Sequence, residues 1–410
     1  MRNPLLSAFV VLVLCRSAGA APAEDPVQRG RYLTLAGNCV SCHTAPGGPL
    51  FAGGLAFMTP FGKIFSTNIS PDRETGIGAW TLTQFQRALR AGIRPDGAHL
   101  YPVFPYTAFT KITDPDAAAL FAYLKSVPAQ RTAVPPNELS FPFNQRWLMG
   151  LWNTLFLTEG GYRTNPAKSA EWNRGAYLVE ALAHCSACHS PRNLLGAERS
   201  GQAMTGGILI DAVASGEQRP WSTPNLTAAV SGLGAWPLLE VTAYLKNGKN
   251  SFVTTFGPMN DVIMNSTRHL RDDDVRAMAI YLKDLAPSES GAATAVPADT
   301  LRLGGILYNV YCGTCHLPTG LGSDESAARL AHGSLVVAAR NPASLINVIL
   351  YGPPLPNPPL ANLRWKPMEA FGERLSDEDV AALATFVMNA WNNPGGEVTV
   401  QEVAQQRSQE

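Results

Sequence analysis

The apolar positions of the chain repeat one helical pattern three times. Each copy starts at an acidic residue and places larger apolar or aromatic residues four, seven and eight positions later, on one helical face. The copies are Asp116-Leu120-Tyr123-Leu124, Asp274-Met278-Tyr281-Leu282 and Asp379-Leu383-Phe386-Val387. Thr113 and Ser376 stand where helix N-caps stand, and the acidic residues suit the positive end of the helix dipole. We therefore predict three equivalent helices.

Two more helical patterns precede each of these helices. The middle pattern is Trp80-Phe85-Leu89-Gly92, then Trp236-Val241-Leu245-Gly248, then, without the tryptophan, Arg340-Leu345-Ile349-Gly352. The first pattern is Gly30-Arg31-Tyr32-Leu33, then Gly175-Ala176-Tyr177-Leu178 and, more loosely, Gly305-Ile306-Leu307-Tyr308. Because helices recur in the same order, we predict an all-α fold of three tandem domains.

Composition and these repeats set the expected boundaries. We predict a signal peptide over 1–23, domains over 24–140, 166–287 and 300–393, an apolar connecting segment over 141–165, a linker over 288–299 and a polar tail over 394–410. The signal peptide is predicted because Arg2 precedes a short apolar run and small residues of the A-x-A type. Leu14 is not the small residue that a lipid-modified Cys15 would need. A periplasmic mature protein is therefore expected.

The remaining six cysteines carry the chemistry. They form three C-x-x-C-H motifs: Cys39-Val40-Ser41-Cys42-His43, Cys185-Ser186-Ala187-Cys188-His189 and Cys312-Gly313-Thr314-Cys315-His316. Two thiols one helical turn apart can form thioethers with the two vinyl groups of a porphyrin, and the following histidine can bind its iron. We predict three covalent haem c groups, attached at Cys39, Cys42, Cys185, Cys188, Cys312 and Cys315, with His43, His189 and His316 as proximal ligands.

Other readings of the motifs explain less. Disulfides suit an oxidising compartment but do not account for a histidine after every pair. Structural zinc needs four ligands per site, and too few cysteines and histidines remain. The 32 Lys and Arg balance the 32 Asp and Glu, so no basic field favours nucleic acid. With no nucleotide-binding glycine loop or acid–base constellation, we expect an electron carrier without catalytic residues.

The second axial ligand is expected in a loop after each middle helix. Met259 and Met368 both follow a proline at aligned positions, and thioether sulfur is a common distal ligand of haem c. The first domain has Phe104 at this position. Met58 and His99 are nearby candidates there, each with a plausible packing or surface role, and an open iron is a third possibility.

At these residues the chain resembles the three-haem cytochrome c subunits of membrane-bound bacterial dehydrogenases for alcohols, gluconate, sorbitol and aldehydes. Beyond the haem motifs, the resemblance rests on Thr67-Asn68-Ile69-Ser70-Pro71-Asp72, His189-Ser190-Pro191-Arg192-Asn193, Gly257-Pro258-Met259 and Phe141-Pro142-Phe143-Asn144-Gln145-Arg146. It implies cytochrome c-like haem domains, a catalytic dehydrogenase subunit of the PQQ, flavin or molybdenum type as electron donor, and ubiquinone or a terminal oxidase as acceptor. The loop with Phe104 resembles cytochromes that pair with molybdenum hydroxylases.

The connecting segment contains an apolar, aromatic helix from Arg146 to Leu157. It could contact the membrane, a quinone or the partner, or pack between domains. Peripheral association with the outer face of the cytoplasmic membrane is expected from the resemblance. Two other functions remain open: a haem enzyme such as a peroxidase that uses an open first haem, and a cytochrome subunit of a respiratory oxidase.

Overall fold

The computed structural model describes residues 24–212, 218–288, 295–360 and 364–408. The predicted signal peptide lies outside the described residues. Within those ranges the predicted series of helices recurs three times along the chain, and we call each copy a unit; one further helix lies between the first two units. No helix among these residues has both the length and the apolar character to cross a membrane.

The predicted helices are present in each unit. The first unit contains α1 (Pro26–Ala36), α2 (Cys39–His43), α3 (Leu82–Ala91), α4 (Tyr106–Phe109) and α5 (Asp114–Ser126), followed by the connecting helix α6 (Leu148–Phe156). The second contains α7 (Ala170–Tyr177), α8 (Ser186–His189), α9 (Leu238–Asn247), α10 (Met259–Asn265) and α11 (Asp272–Asp284). The third contains α12 (Ala298–Tyr311), α13 (Gly313–His316), α14 (Leu335–Ala338), α15 (Ala343–Tyr351), α16 (Asp377–Asn389) and α17 (Val400–Arg407).

The capping predictions are confirmed. The side chain of Thr113 accepts a hydrogen bond from the backbone of Asp116, and Ser376 does the same for Asp379. Each cap satisfies one of the free N–H groups of the first helical turn. The N-cap of α11 is Arg271, whose side chain makes no such bond, so three acidic residues in the first turn supply the favourable charge there.

The first helix of each unit crosses the last one at a glycine. A Cβ added to Gly30 would lie 1.9 Å from the carbonyl oxygen of Ala119, and the corresponding distances are 1.9 Å for Gly175 and Ala277 and 2.1 Å for Gly304 and Ala382. Only glycine allows this approach. The sequence alignment placed Gly305 opposite Gly30 and Gly175, and this was wrong by one residue. Gly304 lies at the helix crossing instead.

The spacing between this glycine and the first haem-motif cysteine differs among the units. In the second unit the helix continues from α7 into a π-helical turn over Leu178–Leu182, which absorbs one extra residue. In the first two units the crossing and the motif can thus keep the same relative position although the second has one more residue between them.

The expectation of an all-α fold is only partly correct, because two small antiparallel sheets are present. One has the order β1 (Ala56–Thr59), β2 (Gly62–Phe65) and β3 (Glu138–Leu139), and the other pairs β4 (Gly207–Ala212) with β5 (Gln218–Thr223). Thr59 pairs with Gly62 at the turn of the first hairpin, and Gly62 also pairs with Leu139. The strands are too short to give a strong alternating pattern in the sequence.

The segment predicted as a polar tail also differs from expectation. It forms α17, which buries Val403 against the third unit. Arg407 at its end pairs with Asp377 at 2.7 Å and donates to the carbonyls of Gly372 and Leu375. This helix is therefore a packed part of the third unit.

Candidate haem sites

The three C-x-x-C-H motifs occupy equivalent places in the fold. Each forms a single short helix, α2, α8 or α13, that directly follows the first long helix of its unit. In the first two units, Asn38 and His184 have left-handed backbones with φ of 49° and 39° and turn the chain into the motif. One helical turn brings both cysteines of a motif to the same side, as thioether attachment requires.

The three motif histidines are held in the same way. The Nδ1–H of His43 donates to the carbonyl of Thr67 at 2.7 Å, that of His189 to Pro224 at 2.9 Å, and that of His316 to Ala328 at 2.7 Å. Burial lowers the pKa of each imidazole, which keeps the ring neutral. A neutral ring whose Nδ1–H is anchored presents Nε2 to a metal, the usual arrangement of a histidine ligand.

Sequence reasoning missed these carbonyl groups, although a signal for two of them exists. Thr67 and Pro224 each follow a hairpin and precede a buried asparagine. Asn68 accepts from the backbone of Ser70 and donates to the Gln130 carbonyl, and Asn225 makes the equivalent bonds with Thr227 and Ser288. The repeated Asn-Ile-Ser and Asn-Leu-Thr segments could therefore have located the two acceptors.

The six motif cysteines are all free in the structure, so none of them forms a disulfide. Burial raises the pKa of Cys39 and Cys185 to about 12 and that of Cys312 to about 11, so these thiols are protonated at neutral pH. Nowhere in the described ranges do three His, Cys, Asp or Glu side chains converge as a metal site. The paired cysteines and the following histidine fit an iron that is bound within a covalently attached porphyrin.

Both candidate distal methionines lie against the cores, Met368 in a loop as expected and Met259 at the first position of a helix. Met259 starts α10 and packs against the core shared by the first two units, which Cys185 also contacts. Met368 packs against the core of the third unit, which contains Cys312. The loop after Met368 is fixed to the end of α15, where Phe371 and Gly372 donate to the carbonyls of Ile349 and Leu350.

The loop around Met259 is also held by the third unit. The backbone N–H of Gly257 and the side chain of Asn260 both donate to the carbonyl of Pro354, at 3.0 and 2.7 Å. Pro354 belongs to the proline-rich segment after α15. The residues on either side of Met259 are therefore positioned by a neighbouring unit.

The three residues considered for the first haem lie in different surroundings. Phe104 packs within an aromatic cluster, 5.3 Å from the ring of Phe109. Met58 lies on β1, paired with Lys63. His99 packs against α6, where a Cβ on Gly150 would lie 3.2 Å from its Nε2. This contact places His99 against the connecting helix.

The first two units meet through a reciprocal set of hydrogen bonds. The hydroxyl of Tyr32 donates to Asp274 in the second unit at 2.5 Å, and that of Tyr177 donates to Asp116 in the first unit at 2.6 Å. Each carboxylate also pairs with an arginine of its own unit, Asp116 with Arg29 and Asp274 with Arg174. Because the same positions interact in both directions, the two units are related by an approximate twofold axis.

This interface brings the first two haem motifs together. Burial and the neighbouring Cys188 raise the pKa of Cys42 to about 11. Asn265 of α10 donates to Ser41, which lies inside the first motif, at 2.9 Å. His184, directly before the second motif, stacks edge-on against Phe109 with ring centroids 5.3 Å apart. The arrangement suits transfer of electrons between two closely spaced redox groups.

Comparisons with known proteins place the chain among cytochromes. The cytochrome c family profile matches residues 27–128 and 173–286, and the profile described as cytochrome c oxidase, cbb3-type, subunit III matches residues 299–387. The fructose dehydrogenase cytochrome subunit of Gluconobacter japonicus is 36% identical over 95% of this chain and 84% of its own. The gluconate 2-dehydrogenase cytochrome c subunit of Pantoea cypripedii is 34% identical over 99% of this chain and 96% of its own.

A further relative differs in length. A nicotinate dehydrogenase subunit of Pseudomonas putida is 41% identical over 93% of this chain, but this chain spans only 32% of that protein. In that relative, the region similar to this chain is thus joined to a much longer polypeptide.

Proposed function

The chain belongs to the family of cytochrome c subunits of bacterial alcohol, fructose and gluconate dehydrogenases, and on that premise we propose that it carries electrons through three covalent haems. The observation that carries the haem count is the anchored histidine, which has the same Nδ1 geometry in all three units. According to this proposal, the third unit is a cytochrome c domain like the other two.

Each haem has a defined set of protein contacts in this proposal. The cysteine pairs at 39 and 42, 185 and 188, and 312 and 315 would hold the porphyrins, and His43, His189 and His316 would bind iron through Nε2. Met259 and Met368 would supply a thioether sulfur as a second protein ligand to the iron of the second and third haems. Bound haem iron supplies reversible one-electron chemistry. The chain itself orients the imidazoles through backbone carbonyls, and its apolar cores contact one side of each motif.

The proposed electron donor is a catalytic dehydrogenase subunit of the PQQ, flavin or molybdenum type, and the proposed acceptor is ubiquinone or a terminal oxidase. Relatives named as cytochrome subunits of fructose and gluconate dehydrogenases support the donor class, since they match along nearly the whole chain. We further propose that the protein acts in the periplasm at the membrane surface. The exposed side chains of Trp147, directly before α6, and of Leu151 and Leu155 on α6 support such a contact.

A role in a respiratory oxidase is the second candidate, favoured by the match of the third unit to a cbb3-type oxidase subunit III. That match covers only 299–387, whereas the dehydrogenase relatives cover the other units as well. We therefore prefer the dehydrogenase assignment.

Mass spectrometry and substrate-driven reduction test the proposal together. The protein matured with haem should carry three covalent haems, and a dehydrogenase that copurifies with it should reduce them when its substrate is added. Two haems would refute the proposed count. If no dehydrogenase reduces the haems and an oxidase copurifies with the protein, the proposed donor is refuted.

A further inference from the structure

A buried asparagine in the first unit joins the loop that holds the motif histidine to the segment after the last helix. Asn68 directly follows Thr67, whose carbonyl accepts from His43, and it is almost fully buried. Its Nδ2 donates to the carbonyl of Gln130 at 2.6 Å, and its Oδ1 accepts from the backbone N–H of Ser70 at 2.9 Å. The hydroxyl of Ser70 in turn accepts from the backbone N–H of Gln130 at 3.0 Å. We call such a connection an asparagine link.

The second unit repeats these bonds one for one. Asn225 directly follows Pro224, whose carbonyl accepts from His189, and it is also buried. Its Nδ2 donates to the carbonyl of Ser288 at 2.9 Å, and its Oδ1 accepts from the backbone N–H of Thr227 at 2.8 Å. The hydroxyl of Thr227 accepts from the backbone N–H of Ser288 at 3.2 Å. The asparagine link is therefore the same in both units.

The third unit makes the link in the opposite direction. Its acceptor for His316 is the carbonyl of Ala328, and the residue after Ala328 is an arginine. Here the asparagine comes from the far side of the link. The Nδ2 of Asn393 donates to the carbonyl of Leu330 at 3.0 Å and to a carbonyl of α16 at 2.8 Å. Asn393 thus holds the loop two residues beyond the acceptor carbonyl.

The three links end at one equivalent position of the fold. The last helices α5, α11 and α16 end at residues 126, 284 and 389, and Gln130, Ser288 and Asn393 each lie four residues later. The two ends that are joined stay the same although the asparagine has changed sides. A single repeated sequence motif does not explain this agreement, whereas a requirement to hold the acceptor loop does.

The acceptor carbonyls need such support because they lie outside the helices and strands. A carbonyl that stays in place keeps a short hydrogen bond from the imidazole Nδ1–H. That bond increases the basicity of the ring and makes Nε2 a stronger electron donor to a metal. A stronger donor favours Fe(III) over Fe(II) and so lowers the reduction potential, which hydrogen bonds around haem iron are known to adjust.

We propose that Asn68, Asn225 and Asn393 are positioning residues for the three motif histidines, each setting the reduction potential of its own unit through the acceptor carbonyl. The inference rests on the proposed function, because it requires iron bound by those histidines. It also distinguishes the third unit, where the link reaches the loop through one bond and two residues away from the acceptor. The third potential should therefore depend least on its asparagine.

The test replaces one asparagine at a time in the intact protein matured with haem. Asn68→Ala, Asn225→Ala and Asn393→Ala should each raise one reduction potential, because the loosened carbonyl leaves the imidazole a weaker donor. A redox titration should show a different step moving in each variant, with the smallest shift for Asn393→Ala. In proton NMR of the reduced protein, exchange of the affected Nδ1–H with solvent should become faster by about tenfold.

Asn173→Ala is the matched control in the second unit. Asn173 is also buried, and its Nδ2 donates to the carbonyls of Asn165 and Ser169 at 2.9 and 3.0 Å, away from the acceptor loop. This variant should lose stability without moving the potential of the second haem. A structural role alone would affect Asn173→Ala and Asn225→Ala alike.

The outcomes separate the proposal from its premise. If Asn225→Ala keeps the wild-type potentials and Nδ1–H exchange, or if Asn173→Ala shifts the same potential equally, the proposal is overturned. If Asn225→Ala does not fold, Asn393→Ala decides by the same criteria, since Asn393 is only half-buried. If the wild-type protein carries fewer than three covalent haems, the proposed function fails instead.

Discussion

Removing one hydroxyl group from the interface of the first two units should lower the free energy of unfolding, by an amount that follows from the hydrogen bonds that remain. Tyr32→Phe deletes the donor to Asp274, which retains two bonds from Arg174 at 2.7 and 2.8 Å. Because the carboxylate keeps its charged partner, the free energy of unfolding should fall by about 1.5 kcal/mol, which is near the lower end of the range for a hydrogen bond to a charged group. Asp274→Asn removes the charge that Arg174 faces, and should cost about 3 kcal/mol.

The pH dependence gives a second measure of the same interaction. Burial alone would raise the pKa of Asp274, but hydrogen bonds from Arg174 and Tyr32 outweigh it and lower the pKa to about 2. A carboxyl with a lowered folded-state pKa stabilises the fold above its unfolded pKa of about 4 and loses that contribution as the pH falls towards 2. Tyr32→Phe should therefore raise the pKa of Asp274 and move this loss of stability to higher pH.

Urea unfolding of the haem-containing protein, followed by circular dichroism, measures these changes. The matched control is Asp272→Asn on the same helix, since Asp272 is 86% exposed and its pair with Lys246 should contribute less than about 1 kcal/mol. A double-mutant cycle then isolates the pair. Additivity of Tyr32→Phe and Asp274→Asn within about 0.5 kcal/mol would refute a direct interaction.

Four further predictions concern the haem sites. The mature protein should contain three haems that survive acid–acetone extraction and no titratable thiol. Met259→Leu and Met368→Leu should each lower the potential of one haem, measured by redox titration, because a soft ligand that favours Fe(II) is lost; unchanged potentials would contradict the assignment. Phe104→Met should make the first haem resemble the other two in its near-infrared spectrum, whereas an unchanged spectrum would show that this loop does not face the iron. Asn260→Ala should alter only the second haem's spectrum, because Asn260 no longer donates to Pro354 beside Met259.

Features encoded by nearby residues could be predicted from the sequence. The C-x-x-C-H spacing defines a single helical turn, and the acidic starts of α5, α11 and α16 lie within one turn of their caps. The same kind of signal was available for α17, where Thr399 and Glu402 form a capping box, but the segment's polar composition concealed it. Local spacing thus determined most of the helices.

Features that depend on distant pairing could not be predicted. Tyr32 and Asp274 are 242 positions apart, and neither has a local pattern that marks it as an interface residue. The hairpins depend on pairing between strands of four to six residues, too short to outweigh the surrounding helical pattern. The carbonyl of Ala328, which accepts from His316, has no buried asparagine after it to mark it, unlike the acceptor carbonyls of the other two histidines.

The two interfaces of the second unit also explain why the repeats are not interchangeable. Towards the first unit it uses tyrosine hydroxyls and buried carboxylates, whereas towards the third it uses bonds such as those from Trp236 to the Gly333 carbonyl and from Ser344 to Ser222. The second unit therefore contacts both neighbours through different surfaces. The polar interface with the first unit also fixes the positions of the first two haem motifs relative to each other, since Asn265 of α10 donates to Ser41 inside the first motif.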